Sequence, residues 1–271
     1  VTEKAALGEP GRRIKTDQPH TARIWNYWLG GKDNYEVDQR AGDEIRRLHP
    51  GIGDYAQADR KFLGRAVRHL AGERGIRQFL DIGTGLPTAD NTHQVAQRVA
   101  PESRIVYVDN DPIVLAHAAA LLDSTPEGRT DYLDEDLRNI DSILEQAART
   151  LDFGEPVALM LLGVVIFIED DEEAYGIVRR FMDRLAKGSF LVLSHTVTRP
   201  DMPDVDAAVA FWNEHGTPKL TQRTPDAVVR FFDGLELLEP GVVSCNHWRP
   251  EDGAELERPE VAMFGGVGRK S

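Results

Sequence analysis

From residue 76 to residue 195 the chain alternates short apolar runs with stretches of helical spacing. The runs are IRQFLDIG (76–83), RIVYVDN (104–110), DYLDED (131–136), PVALMLLGVVIFI (156–168) and SFLVLSH (189–195). Between them Thr88 to Val99, Pro112 to Leu122, Asn139 to Arg149 and Glu172 to Lys187 read as helices. A strand, a crossover and another strand make a parallel pair, so this alternation restricts the chain to an α/β fold with a doubly wound, mainly parallel sheet. Two more strands are expected near 235–239 and 260–267, with only a polar loop around 249–259 between them. That short connection predicts an antiparallel pair at the sheet edge, and a sheet of seven strands in all.

The flanking segments read differently. Residues 1–19 are rich in Gly, Pro and charge and are expected to form a flexible tail. Residues 20–75 predict an N-terminal helical lid or cap of three helices, at 21–29, about 37–48 and 54–72. The third carries an apolar stripe through Tyr55, Ala58, Phe62, Leu63, Ala66, Val67 and Leu70. The remaining unit, 76–271, contains a long connection at 196–223 with a helix near 204–215, and then a helix at 225–232.

Composition removes several functions. The formal net charge is −13, from 32 basic against 45 acidic residues, so the average field repels a phosphate polyanion. Local basic patches can still exist, for example Arg12, Arg13 and Lys15. No apolar run reaches the roughly 18 residues of a membrane span, and the first residues lack the apolar core of a signal peptide. With Cys245 as the single cysteine no intrachain disulfide is possible, which favours a cytoplasmic location. The eight histidines are scattered, so no metal is expected.

The chemistry concentrates in FLDIGTGLPT, residues 79–88. A buried strand ends in Asp81, and the turn Gly83-Thr84-Gly85 follows at once. Glycines here allow left-handed backbone and close approach of a ligand. A helix starting directly after the turn would offer free N–H groups, although Pro87 removes one. The next strand runs into Asp109, placed to accept hydrogen bonds from ribose hydroxyls. Read as turn and cap residues, Asp109, Asn110 and Asp111 would only open the helix at Pro112. A nicotinamide-dependent oxidoreductase is the rival reading, but its third glycine position holds Thr88.

The pattern around Asp81 resembles motif I of class I S-adenosylmethionine methyltransferases, and the resemblance extends over about residues 76–268. It implies a Rossmann-like methyltransferase fold, with S-adenosylmethionine as cofactor and S-adenosylhomocysteine as product. It implies the methionine end at Asp81, Gly83, Thr84 and Gly85, the ribose on Asp109, and the adenine against Asn110, Asp136 and Leu137. More narrowly, TARIWNYWLGGKDNYEVDQ, DIGTGLPT and VYVDNDPIVLAHA resemble a bacterial family of S-adenosyl methyltransferases of undefined substrate. A regulator that binds the cofactor without catalysis, or an aminopropyltransferase on the same fold, would carry the same turn.

The acceptor side rests on fewer residues. Glu169, Asp170 and Asp171 follow the fourth strand, and His195 ends the fifth. Glu169 and His195 are candidates to take a proton from an acceptor. Alternatively 169–171 form an acidic helix N-terminus and His195 is a satisfied polar group. Trp212, in the 196–223 connection, is a candidate for the acceptor wall; Trp25 and Trp28 have the spacing of core residues. Asn34 and Tyr35, beyond the Gly30-Gly31 hinge, are expected to reach the cofactor if the lid closes. The acceptor is expected to be a small molecule, with neither nucleic acid nor membrane as partner.

Overall fold

The computed structural model describes residues 16–117, 123–251, 253 and 257–271. The basic residues of the tail, and the end of the helix expected to reach Leu122, lie outside these. Three helices lead: α1 (Thr21–Trp28), α2 (Glu36–Leu48) and α3 (Ile52–Gly72). The alternating unit follows as β1 (Gln78–Ile82), α4 (Thr92–Val99), β2 (Arg104–Asp109), α5 (Pro112–His117), β3 (Arg129–Asp134), α6 (Ile140–Ala147), β4 (Ala158–Leu162), α7 (Asp171–Arg184) and β5 (Phe190–Thr196). Then come α8 (Pro203–His215), α9 (Pro225–Val229), β6 (Glu236–Leu237), β7 (Val243–Ser244) and β8 (Met263–Arg269).

The strand order is β3-β2-β1-β4-β5-β8-β6, with β7 also paired to β8. Strands β1 to β5 are parallel, and β8 enters antiparallel between β5 and β6. The expected count of seven becomes eight for a simple reason. β6 meets β8 at Gly268 and Arg269, β7 meets it at Phe264 and Gly265, and the two form one edge strand interrupted at 238–242. The polar loop therefore does return the chain beside an antiparallel neighbour.

The central strands are buried on both faces. Every residue of β1 and β5 is buried, which is why their sequences are near-continuous apolar runs rather than alternating ones. Helices α3 and α4 pack together on one face, and α6 and α7 on the other. Strand order reverses between β1 and β4, so the two loops at their C-terminal ends part and leave a crevice there.

The N-terminal helices are fastened by a buried ion pair. Arg23 Nε donates to Asp38 Oδ2 at 2.6 Å, with side-chain exposures of 2% and 0%. Asp38 also accepts the backbone N–H groups of His20 and Tyr35, both at 2.9 Å. One carboxylate thus caps α2 and anchors α1. Among the described residues no helix is long and apolar enough to cross a membrane.

Candidate functional site

The crevice at the strand reversal is a cleft of about 330 Å³. The turn after β1 forms its floor. Gly83 has φ +77°, and a Cβ there would sit 2.4 Å from Val164 Cγ2. Gly85 has φ +66° with open space above it, and its N–H donates to Asp109 Oδ2 at 2.8 Å. The turn and the acid at the end of β2 therefore form one unit. Asp109 Oδ1 accepts the Asp111 N–H at 3.0 Å, and the Asn110 N–H also bonds this carboxylate.

Asp81 is buried at the end of β1 and accepts a 2.6 Å hydrogen bond from Thr92 Oγ1. Thr84 Oγ1 donates back to the Asp81 carbonyl at 3.1 Å. On the next wall Asn110 Nδ2 donates to Asp136 Oδ2 at 3.0 Å, and Leu137 lies beside them. Asp81, Gly83, Thr84, Gly85, Asp109, Asn110, Asp136 and Leu137 all line the same cleft. Three loops separated in sequence bring them there, each at the C-terminal end of a parallel strand.

Other sequence expectations need correction. Helix α4 begins at Thr92 rather than Thr88, and the segment 86–91 lies between turn and helix. Its first N–H groups are committed: Asn91 and Gln94 form a capping box, and the His93 N–H donates to Tyr107 Oη at 2.8 Å. Asn34 and Tyr35 do not reach the cleft. Asn34 Nδ2 donates to Asn26 Oδ1 at 2.9 Å, and Tyr35 is 42% exposed with the Arg23 guanidinium 5.1 Å from its ring centroid. Asn26 Oδ1 also accepts the Asp33 N–H at 2.9 Å, so the loop after Gly30 is tied back onto α1.

The two expected proton acceptors are also elsewhere. His195 is fully buried, with Nδ1–H donating to the Thr196 carbonyl and Nε2 accepting from Arg223 Nη1, both at 2.8 Å. Burial pushes its imidazole down to about 3, so it holds Arg223 in place and faces no ligand. Glu169 is exposed and outside the cleft lining. A short 3₁₀ turn at Val165–Phe167 carries the chain outward, and Asp170 Oδ1 caps α7 through the Glu173 N–H at 2.7 Å. The acidic run serves the helix start, as the macrodipole favours. Trp212 is buried and lines a separate cavity behind α1, with Nε1 donating to the Pro218 carbonyl at 2.7 Å.

The residues that sequence reasoning missed come from α1 and α3. His20, Trp25 and Asn26 form one wall, and Asp59 and Arg60 another. Asp59 is 6% exposed, and its Oδ1 is buried with no partner. Burial pushes its carboxyl up to about 6, against a hydrogen bond from Ser194 and the Arg60 charge. Burial does the same to Asp81 and Asp109, each raised to about 6. A signal for Asp59 was present in the sequence. It lies four residues after Tyr55 and three before Phe62, on the buried stripe of α3, where an acid is costly without a task.

A Rossmann-like sheet with an antiparallel strand between β5 and the edge, and a glycine turn coupled to an acid at the end of β2, defines the class I methyltransferase type. Residues 8–271 match the family described as S-adenosyl methyltransferase, and the chain belongs to that family. A duf574 family protein from Streptomyces avermitilis MA-4680 is 45% identical, with TM-score 0.92 over 96% of this chain and 100% of that one. A provisionally assigned methyltransferase from Thermobifida fusca YX is 38% identical, with TM-score 0.86 over 94% and 97%. Magnesium protoporphyrin IX methyltransferase from Synechocystis PCC 6803 shares only the fold, at 13% identity and TM-score 0.51 over 92% and 90%. No curated protein matches the sequence.

Proposed function

We propose that the cleft binds S-adenosylmethionine and that the protein transfers its methyl group to a small-molecule acceptor. The observation that carries this reading is the charge of the lining. Six acidic residues line the cleft, Asp59, Asp81, Asp109, Asp111, Glu135 and Asp136, against two arginines, Arg60 and Arg138. S-adenosylmethionine brings a sulfonium and an ammonium group, which this field attracts. A nicotinamide dinucleotide brings a pyrophosphate, which it repels. The unpartnered Asp59 Oδ1 is a second sign that a cation or hydrogen-bond donor belongs here.

In this reading Asp109 holds the ribose hydroxyls, and the Asn110–Asp136 pair with Leu137 holds the adenine. Asp81 and Asp59 face the cationic methionine end, and Arg60, whose Nη2 donates to the Ala89 and Asp90 carbonyls, has its remaining N–H groups for the carboxylate. The bound cofactor supplies an electrophilic methyl group on sulfur. The protein's part is alignment of the acceptor and exclusion of water. His195 and Glu169 take no part in proton removal.

Calorimetry with S-adenosylhomocysteine and with NAD tests the reading. Ligand at about 100 times its Kd stabilises by roughly 2.7 kcal/mol, so S-adenosylhomocysteine should raise the Tm and NAD should not. Stabilisation by NAD alone would sink the proposal.

A further inference from the structure

Three charged side chains line the cleft beside the strand reversal: Asp59 and Arg60 from α3, and Asp81 from β1. The two acids are 6% and 5% exposed. The Arg60 charge draws both carboxyls down, against the burial that raises each to about 6, so one guanidinium serves two acids. Both are ionised at pH 7.5. The nearby acids are engaged elsewhere. Asp109 accepts the Gly85 and Asp111 N–H groups, and Asp90 pairs with Arg98 at 2.6 Å.

Two carboxylates and one guanidinium are the complement of two cations and one carboxylate. The methionine end of S-adenosylmethionine has that composition: an ammonium, a sulfonium and a carboxylate. Arg60 then answers the carboxylate, one acid the ammonium, and the second acid the sulfonium. S-adenosylhomocysteine keeps the ammonium and the carboxylate but has a neutral thioether. With it in place the second acid stays buried without a counter-charge, which is costly.

Position along the sheet says which acid this is. The adenine wall follows β3 and the ribose acid ends β2, so the sulfur falls one step further, at the gap between β1 and β4. Asp59 stands on the β4 side of that gap. A Cβ on Gly163, the residue after β4, would lie 4.0 Å from Asp59 Oδ2. The Gly163 N–H donates to Ser194 Oγ at 3.0 Å, and Ser194 bonds the Asp59 carboxyl. Asp59 Oδ1 has no partner. Asp81 stands on the β1 side, just before the glycine turn assigned to the methionine end. A charge acts across such a gap without touching the sulfur, and strongly so where water is excluded.

We infer that Asp59 is the residue by which this site tells a sulfonium from a thioether, so that S-adenosylmethionine is held more tightly than S-adenosylhomocysteine and the spent product is released. The inference rests on the cleft as the cofactor site and deepens that reading. Asp59 is here a specificity-determining residue, whereas Asp81 serves the ammonium common to both ligands.

The test is calorimetry on the full chain at pH 7.5, without acceptor. The ligands are S-adenosylmethionine, S-adenosylhomocysteine and sinefungin, in which a carbon bearing an ammonium replaces the methyl-bearing sulfur. Failure of all three to bind overturns the cofactor reading itself. The native protein should bind S-adenosylmethionine and sinefungin at least about tenfold more tightly than S-adenosylhomocysteine, the weight of one buried charge left unanswered. Asp59→Asn should bring these ratios close to one, with S-adenosylhomocysteine bound no more weakly than by the native protein. Asp59→Ser also lacks the charge and guards against a fold defect in the asparagine variant. Asp81→Asn should weaken all three ligands alike. S-adenosylhomocysteine bound as tightly as S-adenosylmethionine by the native protein overturns the proposal. So does a preference that survives in the Asp59 variants, or an equal loss of all three ligands there, which would give Asp59 the ammonium instead.

Discussion

The cleft and the cavity share the wall of α1 and are built in opposite ways. The cleft is lined by backbone turns and carboxylates at strand ends, and its buried acids are unfavourable in the free protein. The cavity is lined by rings from helices far apart in sequence, and its buried unmet polar atom is His49 Nε2. A charged cleft of about 330 Å³ suits a cofactor that is itself charged; the apolar cavity, about 60 Å³, is a gap in the packing of rings. The difference also separates what holds each site. Strand ends are positioned by the sheet ladder, whereas the cavity exists only as long as α1, α2 and α8 stay docked.

The largest effect should come from undoing that docking. Arg23→Ala leaves Asp38 charged and buried, a loss of about 3–5 kcal/mol for a broken buried pair. Urea unfolding should show it, and S-adenosylhomocysteine binding should weaken with it because α1 lines the cleft. Intact S-adenosylhomocysteine affinity in the variant would show that the cleft does not depend on the docking of α1.

Next in size, Asp109→Ala should cost about 1.5–3 kcal/mol of S-adenosylhomocysteine binding, since hydrogen bonds to a charged acceptor are lost. Calorimetry should register this as a roughly ten- to hundredfold rise in Kd. Unchanged cofactor affinity would reduce Asp109 to the support of the Gly85 turn.

The contrast explains which site could be read from sequence. Asp81, the glycine turn and Asp109 sit on consecutive strands, and parallel pairing fixes where consecutive strands end. Asp81, the turn and Asp109 were therefore legible as one cluster, whereas the places given to Asn110, Asp136 and Leu137 came from the family resemblance. The cavity depends on how helices 21–29, 37–48 and 204–215 cross, and no local pattern encodes a crossing. His49 reads as the residue after a helix, and Asp204, which its Nδ1 meets across α2 and α8, as a first-turn acid. His195 failed for the same kind of reason. Its place at a strand end was right, but whether a strand-end side chain faces the ligand depends on what packs over it, here Arg223 and Phe231. Asn34 and Tyr35 lie off the cleft in this arrangement because Asn26 Oδ1 holds their loop against α1.

The smallest effect to look for is a gain in stability, and it bears on the cost of the charged cleft. The Asp59 carboxyl is raised to about 6 by burial, above its ordinary 3.8. Between these two values the folded state holds the proton more tightly than the unfolded chain, so this group's contribution to stability falls as pH rises through that window. Below about 4 both states are protonated and its contribution is at its best; above about 7 both are ionised and the burial cost is fully present. Asp59→Asn removes the charge and can still accept from Ser194. The variant should therefore be more stable than the native protein at pH 7.5, by on the order of 1 kcal/mol, and the gain should vanish near pH 4. Thermal unfolding of the ligand-free protein at the two pH values reads this directly. S-adenosylmethionine should reverse the ranking at pH 7.5, because its cationic end stabilises only the native carboxylate. The ring-lined cavity, by comparison, should show no such exchange of stability for charge. An Asp59→Asn variant that is less stable at both pH values and keeps full cofactor affinity would make Asp59 a structural partner of Ser194 and leave the cationic end to Asp81.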